Sequence, residues 1–316
     1  MSSDEVHVGV DVGGSKILAV ALRPSGGNAG TAVTDREPEV VATATRPMPG
    51  REAPTGELEA AILVAVAEAR GETALGGVGL SVAGLVDAAG EHLRFAAHLP
   101  WRAAPLRRRF EELLATPVRL ANDANCAAYA EIVAGAARGI SSGLLVTVGT
   151  GIGGAVMMGG QVVRGAHGGA GEFGHMQVVP DGLACECGLR GCWEQYCSGR
   201  ALERVVRVAV GTHLDGPEVA ALARAGDTVA REAIASIGTW LGVGTAGLVS
   251  AFDPEVVVIG GGVSAVGDLL LEPARRALAD SLQGTDYREV PALVPARFGP
   301  EAGAIGAALY SLDGIG

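Results

Sequence analysis

The chain has 316 residues, 48% hydrophobic and 19% charged, which excludes intrinsic disorder and allows one large or two moderate domains with a substantial core. A net charge of −11 excludes a general nucleic-acid binder, which needs basic surface, but not a nucleotide, which backbone N–H groups and a metal ion can hold. The 49 glycines follow no collagen period and gather in short loops beside apolar runs.

Val6 to Val10 is an apolar run that stops at Asp11-Val12-Gly13-Gly14-Ser15-Lys16, and Ile17 to Leu22 resumes it, so the glycines are expected to turn a β-hairpin. Lys16 is the one lysine among 24 basic residues, a bias that a high-GC genome explains, yet it falls in this first glycine loop. Pro24 to Pro38, rich in Gly, Asn and Asp, reads as a surface loop, and Val40 to Thr45 as a third strand. Glu57 to Arg70 carries Leu58, Ile62, Leu63, Val66 and Ala69 at helical spacing. Val78 to Val82 is a buried strand ending at Ala83-Gly84. Val118 to Ala121 is another, ending at Asn122-Asp123-Ala124-Asn125, where an alanine-rich helix is expected to start and run to about Ala137.

The second half restates the first. Leu144 to Val148 ends in Gly149-Thr150-Gly151-Ile152-Gly153-Gly154, Ala155 to Met158 returns, and Gly159-Gly160 marks the next turn. This strand, glycine turn and strand lie 136 to 138 residues after the first set and suggest two halves of related architecture. A long helix from about Asp227 to Ala251 feeds Val256 to Ile259, which ends at Gly260-Gly261-Gly262, and Ala302 to Ser311 reads as the last helix. Strands alternating with helices predict an α/β fold. The expected division is a small domain over 1–118, to which the helix over 302–316 returns, and a large one over 119–301.

Met1 to Glu5 is polar and leads straight into a strand, so no signal peptide is expected. The longest apolar stretch, Ile237 to Phe252, has 16 residues, short for a bilayer, and reads as a buried helix; a cytoplasmic protein without membrane contact is expected.

The two glycine loops offer backbone N–H groups to an anion with no Cβ in the way. In the first, Asp11 could hold a Mg²⁺-bound water, and Ser15 and Lys16 could donate to phosphate; in the second, Thr150 adds a hydroxyl. An ordinary tight hairpin explains either loop alone, whereas a facing pair would clamp a triphosphate. Neither fits a Walker or dinucleotide fingerprint, because each turn joins strand to strand. Asn122 and Asp123 at a strand end suit both a helix N-cap and a base that takes a substrate hydroxyl's proton in phosphoryl transfer.

Four of the five cysteines fall within thirteen residues. His175, Cys185, Cys187 and Cys192 have the spacing His-x9-Cys-x-Cys-x4-Cys, with Gly188 and Gly191 to turn the loop. Three thiolates and one imidazole complete a closed tetrahedral Zn²⁺ site, which is structural and leaves no position for water; other thiophilic metals suit the same set. Cys126 and Cys197 lie outside this spacing and read as buried apolar thiols. Glu172, three residues before one ligand, and Glu194, two after the last, bracket the loop. Carboxylates there could accept hydrogen bonds from adjacent sugar hydroxyls, and the His175 nitrogen not on the metal would be a fixed donor.

Asp11 to Lys16, Thr147 to Gly154, Asn122-Asp123, Glu172-Phe173-Gly174-His175 and Cys185 to Cys192 followed by Glu194 together resemble the ROK (repressor, open reading frame, kinase) sugar kinases, across nearly the whole chain. The resemblance implies the actin-like ATPase (ribonuclease H-like) fold, with two α/β domains and a cleft between them. It implies ATP with Mg²⁺ at Asp11, Gly13, Gly14, Ser15, Lys16, Gly149, Thr150, Gly151 and Gly153, with Gly260, Gly261 and Gly262 against the adenosine, and a structural Zn²⁺. It makes Asp123 the base for the 6-hydroxyl of a hexose, with Asn122, Glu172, His175 and Glu194 on the other hydroxyls and Gly84 close by. Cys192 to Gly199 most resembles bacterial glucokinases, so glucose is the expected substrate. A homodimer or homotetramer follows from the same resemblance, with its contacts on the large domain. Ala83 departs from the Pro that many members carry before Gly84.

Other expectations share the fold: fructose, mannose, N-acetylmannosamine or N-acetylglucosamine as substrate, polyphosphate as donor, or a sugar sensor without catalysis. A repressor of the same family would carry an N-terminal helix-turn-helix, and with five residues before the first strand none is expected.

Overall fold

The computed structural model describes residues 5–24, 38–50 and 53–313. Residues 25–37 of the expected surface loop and 314–316 of the expected last helix lie outside that description. The chain divides into two compact units, one of Met1–Gly139, Ala155–Gly171 and Pro300–Gly316, the other of Ile140–Gly154 and Glu172–Gly299.

The first unit is built on a five-stranded sheet. Strands β1 (Glu5–Val12), β2 (Lys16–Arg23) and β3 (Glu39–Pro47) form an antiparallel meander, and β4 (Ala74–Val82) joins β1 in parallel. Helix α1 (Thr55–Arg70) connects β3 to β4 and buries Leu58, Ile62, Ala65, Val66 and Ala69, one stripe of its surface. A short hairpin, β5 (Leu85–Val86) and β6 (Leu93–Phe95), leads to α2 (Leu106–Leu114) and to β7 (Val118–Asn122), giving the order β3-β2-β1-β4-β7. Every residue from Val6 to Val10 and from Val78 to Val82 is buried, on both faces of the sheet, as expected of a parallel pair covered on both sides.

Two helices pack on this sheet, α3 (Asp123–Ala134) and the last helix of the chain, over Ala302–Asp313. Glycines set how closely they approach. A Cβ at Gly9 would overlap the backbone of Ala304 and Ala308, and one at Gly79 the backbone of Ala307, so the last helix lies directly on β1 and β4. Gly306 meets the Cys126 carbonyl of α3 in the same way, and Tyr129 and Tyr310 stack with ring centroids 4.0 Å apart. The alanine-rich composition of both helices is thus a packing requirement. Helix α3 ends at Ala134, three residues earlier than expected: the buried Glu131 carboxylate accepts the Ala136 N–H at 2.7 Å and turns the chain at Gly135.

The second sheet has the order β10-β9-β8-β11-β12, from β8 (Ser142–Val148), β9 (Ile152–Met158), β10 (Gln161–Val163), β11 (Val256–Gly260) and β12 (Ala292–Pro295). Strand β9 begins at Ile152, so Gly153 and Gly154 belong to a strand and not to the expected turn. A Cβ on Gly154 would run into the Phe173 ring, which explains the glycine. The second unit adds α4 (Gly199–Val210), α5 (Gly216–Ala225), α6 (Thr228–Phe252) and α7 (Asp268–Ser281), which makes the chain's last helix α8. Helix α6 is long and apolar enough to cross a membrane, but most of it is buried. Gly238 and Gly242 seat it against the α7 backbone.

The division expected after residue 118 falls inside β7. Because β7 pairs with β4 from Val78↔Val118 to Val82↔Asn122, the strand and the helix it feeds stay with the first sheet, and the chain divides after Gly139.

Candidate active site

Strand β1 ends at Asp11, and β1 pairs β2 through Asp11↔Leu18 and Val12↔Ile17. The turn between them closes with the Gly13 N–H donating to the Lys16 carbonyl at 3.1 Å, and Gly14, Ser15 and Lys16 are exposed. A Cβ on Gly14 would meet nothing, so this loop is open to an incoming group. The Asp11 carboxylate accepts the Ser81 hydroxyl at 2.5 Å. Burial pushes its carboxyl above the ordinary range, and the Ser81 hydrogen bond and the Lys16 charge oppose this. Gly303, at the start of α8, leaves room for that pair, since a Cβ there would press on Asp11 and Ser81. Sequence reasoning missed Ser81 and Gly303; a lone hydroxyl inside the apolar strand β4 was the available signal.

Asn122 ends β7 and is the N-cap of α3: its Oδ1 accepts the N–H of Ala124 at 2.9 Å and of Asn125 at 3.2 Å. Its amide donates to the Gly84 carbonyl at 3.1 Å. Capping therefore belongs to Asn122, and Asp123 is the first helical residue, its Oδ1 accepting the Ala124 N–H at 2.9 Å. A carboxylate there is favoured by the exposed N–H groups of the helix end. Gly84 is held closely, because a Cβ would strike the Phe95 carbonyl and Ala96.

The second glycine loop closes with the Gly149 N–H on the Gly151 carbonyl at 3.0 Å, and Thr150 is exposed. Of the three glycines after β11, Gly260 is buried, and Gly261 has φ +84° with its Cα against Val148, where a Cβ would overlap the backbone. Gly262 alone is exposed with open space around it.

In the second unit, His175, Cys185, Cys187 and Cys192 each point one donor atom into a cluster whose members all lie within 4.8 Å of one another. Cys187 Sγ and Cys192 Sγ are 3.6 Å apart, and Cys185 Sγ and His175 Nδ1 3.8 Å. A tetrahedron with metal–sulfur bonds of about 2.3 Å has edges of about 3.8 Å, so the donor set fits Zn²⁺ in type and spacing. Burial pushes the Cys185 thiol up to about 12, so without a cation it keeps its proton at neutral pH. The loop is shaped by Gly188 (φ +92°) and Gly191 (φ +76°), by the Cys185 N–H on the Leu189 carbonyl, and by the Gln177↔Cys192 bridge. Cys126 and Cys197 are buried outside the cluster.

The two expected carboxylates flank this cluster. Glu172 Oε2 is 3.9 Å from His175 Nε2, and Glu194 Oε1 is 3.9 Å from His175 Nδ1 and 3.2 Å from Cys185 Sγ. With Nδ1 on the thiol side, Nε2 is the nitrogen left to donate. Trp193, fully buried between Cys192 and Glu194, donates its indole N–H to the Trp240 carbonyl at 2.7 Å and packs on α6 where Gly244 leaves space.

The ROK family profile matches residues 7–313 of the sequence. The chain belongs to the ROK family. Among its relatives, this ROK chain is 37% identical to a glucokinase of Streptomyces coelicolor over 318 residues, 95% of this chain and 96% of that protein. The crystal structure of a ROK family glucokinase from Streptomyces griseus in complex with glucose and AMPPNP superimposes with a TM-score of 0.87 at 36% identity, over 98% of this chain and all of that one. A xylose repressor of Bacillus subtilis is 31% identical over 240 residues, 75% of this chain but 61% of the repressor. The fold of the ROK chain is therefore the actin-like ATPase fold in its sugar-kinase form.

Proposed function

We propose that this chain is an ATP-dependent glucokinase that transfers the γ-phosphoryl group to the 6-hydroxyl of glucose. The observations that carry this reading are an Asn122–Asp123 helix terminus in the first unit and, in the second, a His175/Cys185/Cys187/Cys192 cluster flanked by Glu172 and Glu194, in a chain 37% identical to a glucokinase. Asp123 takes the proton of the 6-hydroxyl as that oxygen attacks phosphorus in line. Asn122, Glu172, His175 Nε2 and Glu194 bind the remaining hydroxyls, with Gly84 holding the Asn122 amide in place. Carboxylates beside vicinal hydroxyls suit an uncharged sugar, because each accepts two hydrogen bonds.

The triphosphate lies against the backbone of the loops at Gly13–Lys16 and Gly149–Gly153, and the adenosine against Gly262. Asp11 is the residue that would hold the Mg²⁺ of the nucleotide, through a water; Mg²⁺ supplies charge neutralisation at the phosphates. Zn²⁺, held by His175, Cys185, Cys187 and Cys192, supplies order to the loop that carries Glu194. Thiols clustered in this way suit a reducing, cytosolic setting.

The likeness to a xylose repressor motivates a second reading, a sugar sensor without turnover. A coupled assay of ADP release decides, with ATP·Mg²⁺ and a panel of glucose, mannose, fructose, N-acetylglucosamine and N-acetylmannosamine. The highest kcat/KM on glucose is expected. Preference for another sugar would replace the substrate and keep the mechanism, and no turnover with any sugar or with polyphosphate as donor would favour the sensor.

A further inference from the structure

The second glycine loop is not free-standing. The Gly199 N–H donates to the Gly149 carbonyl at 2.7 Å, which ties the first residue of α4 to the loop. Two residues on, a Cβ on Gly151 would overlap Glu194 Oε2. The other oxygen of the same carboxylate faces Cys185 Sγ at 3.2 Å and His175 Nδ1 at 3.9 Å. Glu194 is thus held between the cysteine cluster on one side and the backbone of Gly151 on the other, and only 20% of its side chain is exposed. Its own backbone is anchored by Trp193, so it cannot retreat as a unit.

Gly151 has a second, ordinary reason to be glycine, the close approach of a phosphate to backbone. The two reasons predict different losses when a methyl is added. Crowding of phosphate would weaken nucleotide binding. Crowding of Glu194 would turn the carboxylate away from its place, and the sugar would suffer.

We infer that Gly151 is a positioning residue for the sugar: by lacking a side chain it sets where the Glu194 carboxylate stands, although it belongs to the loop that faces the nucleotide. This rests on the assignment of Glu194 to the sugar hydroxyls. Because the atom in the way is the end of a flexible side chain, Gly151→Ala displaces Glu194 and leaves the fold standing.

The test is calorimetric titration of the full-length, zinc-supplemented protein with glucose alone and with AMPPNP alone, with metal per chain measured by mass spectrometry. Gly151→Ala is expected to raise the Kd for glucose about tenfold, as a misplaced binding group does, and to change that for AMPPNP by less than about twofold. In Gly151→Ala/Glu194→Ala, glucose should bind as in Glu194→Ala alone, because the methyl then has nothing to displace. A loss confined to AMPPNP, or losses that add in the double variant, would overturn the inference. Glu194→Ala separates it from its premise: unchanged glucose affinity there removes the assignment of Glu194, whereas a weakened Glu194→Ala beside an unaffected Gly151→Ala removes this inference alone. Should Gly151→Ala fail to fold, adding Glu194→Ala should restore folding, and a double variant that stays unfolded overturns the contact.

Discussion

The two groups of residues proposed to bind the sugar, one in each unit, are built by different physics. At Asn122–Asp123 the backbone does the work: a strand of a parallel sheet runs into a helix, Asn122 caps that helix, and its amide grips Gly84. At Glu172, His175 and Glu194 there is no regular element longer than a three-residue 3₁₀ turn, and the shape comes from glycines at positive φ, the buried Trp193 and four donor atoms gathered for a cation. The first arrangement rests on regular secondary structure; the second, on the zinc reading proposed above, rests on an ion. Perturbations should therefore separate them.

The largest separation is expected from Asp123→Ala. Loss of a base should lower kcat by about 10³-fold while glucose Kd and zinc content change little. Near-normal kcat in this variant would end the assignment of Asp123. Zinc removal should act on the other group. If chelation leaves about a tenth of the chains with an ordered loop, apparent glucose Kd rises about tenfold, whereas the amide-exchange protection of α3 and β7 should hold. Full glucose affinity in protein shown to be zinc-free would contradict a structural role for the ion.

A smaller effect is expected from Asn122→Ala. Loss of the cap should cost about 1 kcal/mol in denaturant unfolding, with a rise in glucose KM as well, because Gly84 loses its donor. The smallest effect concerns the first unit alone. His7 is buried on β1, its Nδ1 is 2.9 Å from Ser311 Oγ of α8, and burial lowers its pKa from the ordinary 6.5, against the raising effects of Glu5 and Ser311. The folded chain thus binds this proton less readily than the unfolded one. The His7 contribution to stability is complete above about pH 6.5 and is lost as pH falls from there toward the folded-state value. Asp313, raised by burial to about 6, acts in the opposite sense, its contribution being lost as pH rises toward that value. His7→Leu should therefore flatten the acid side of the stability profile and leave the Asp313 component; an unchanged acid slope would show that His7 does not carry it.

Much of the fold was legible in local pattern. The strands at Val6, Ile17, Val78, Val118, Leu144 and Val256 are apolar runs that end in turn residues, and the helices at Glu57, Asp227 and Ala302 follow helical spacing or continuous apolarity. The helices α2, α4, α5 and α7 were not read: Ser198 and Asp215 cap α4 and α5 as single polar residues among many, and α2 and α7 start without a side-chain cap. In the site, the cluster ligands are close in sequence and share a chemical type, so spacing alone assembled them. Ser81 and Gly303 could not be paired that way, being more than two hundred residues apart.

What the sequence determined by itself is the set of local identities: which residues can ligate a cation, accept a hydroxyl proton, cap a helix or turn without a Cβ. These follow from side-chain chemistry and near-neighbour backbone geometry. Tertiary structure decided which glycines are packing residues, where the chain divides, and which Glu194 oxygen meets Gly151. Those depend on contacts between segments brought together only by burial of the core, where a single methyl at Gly9, Gly79 or Gly151 would find its space already taken.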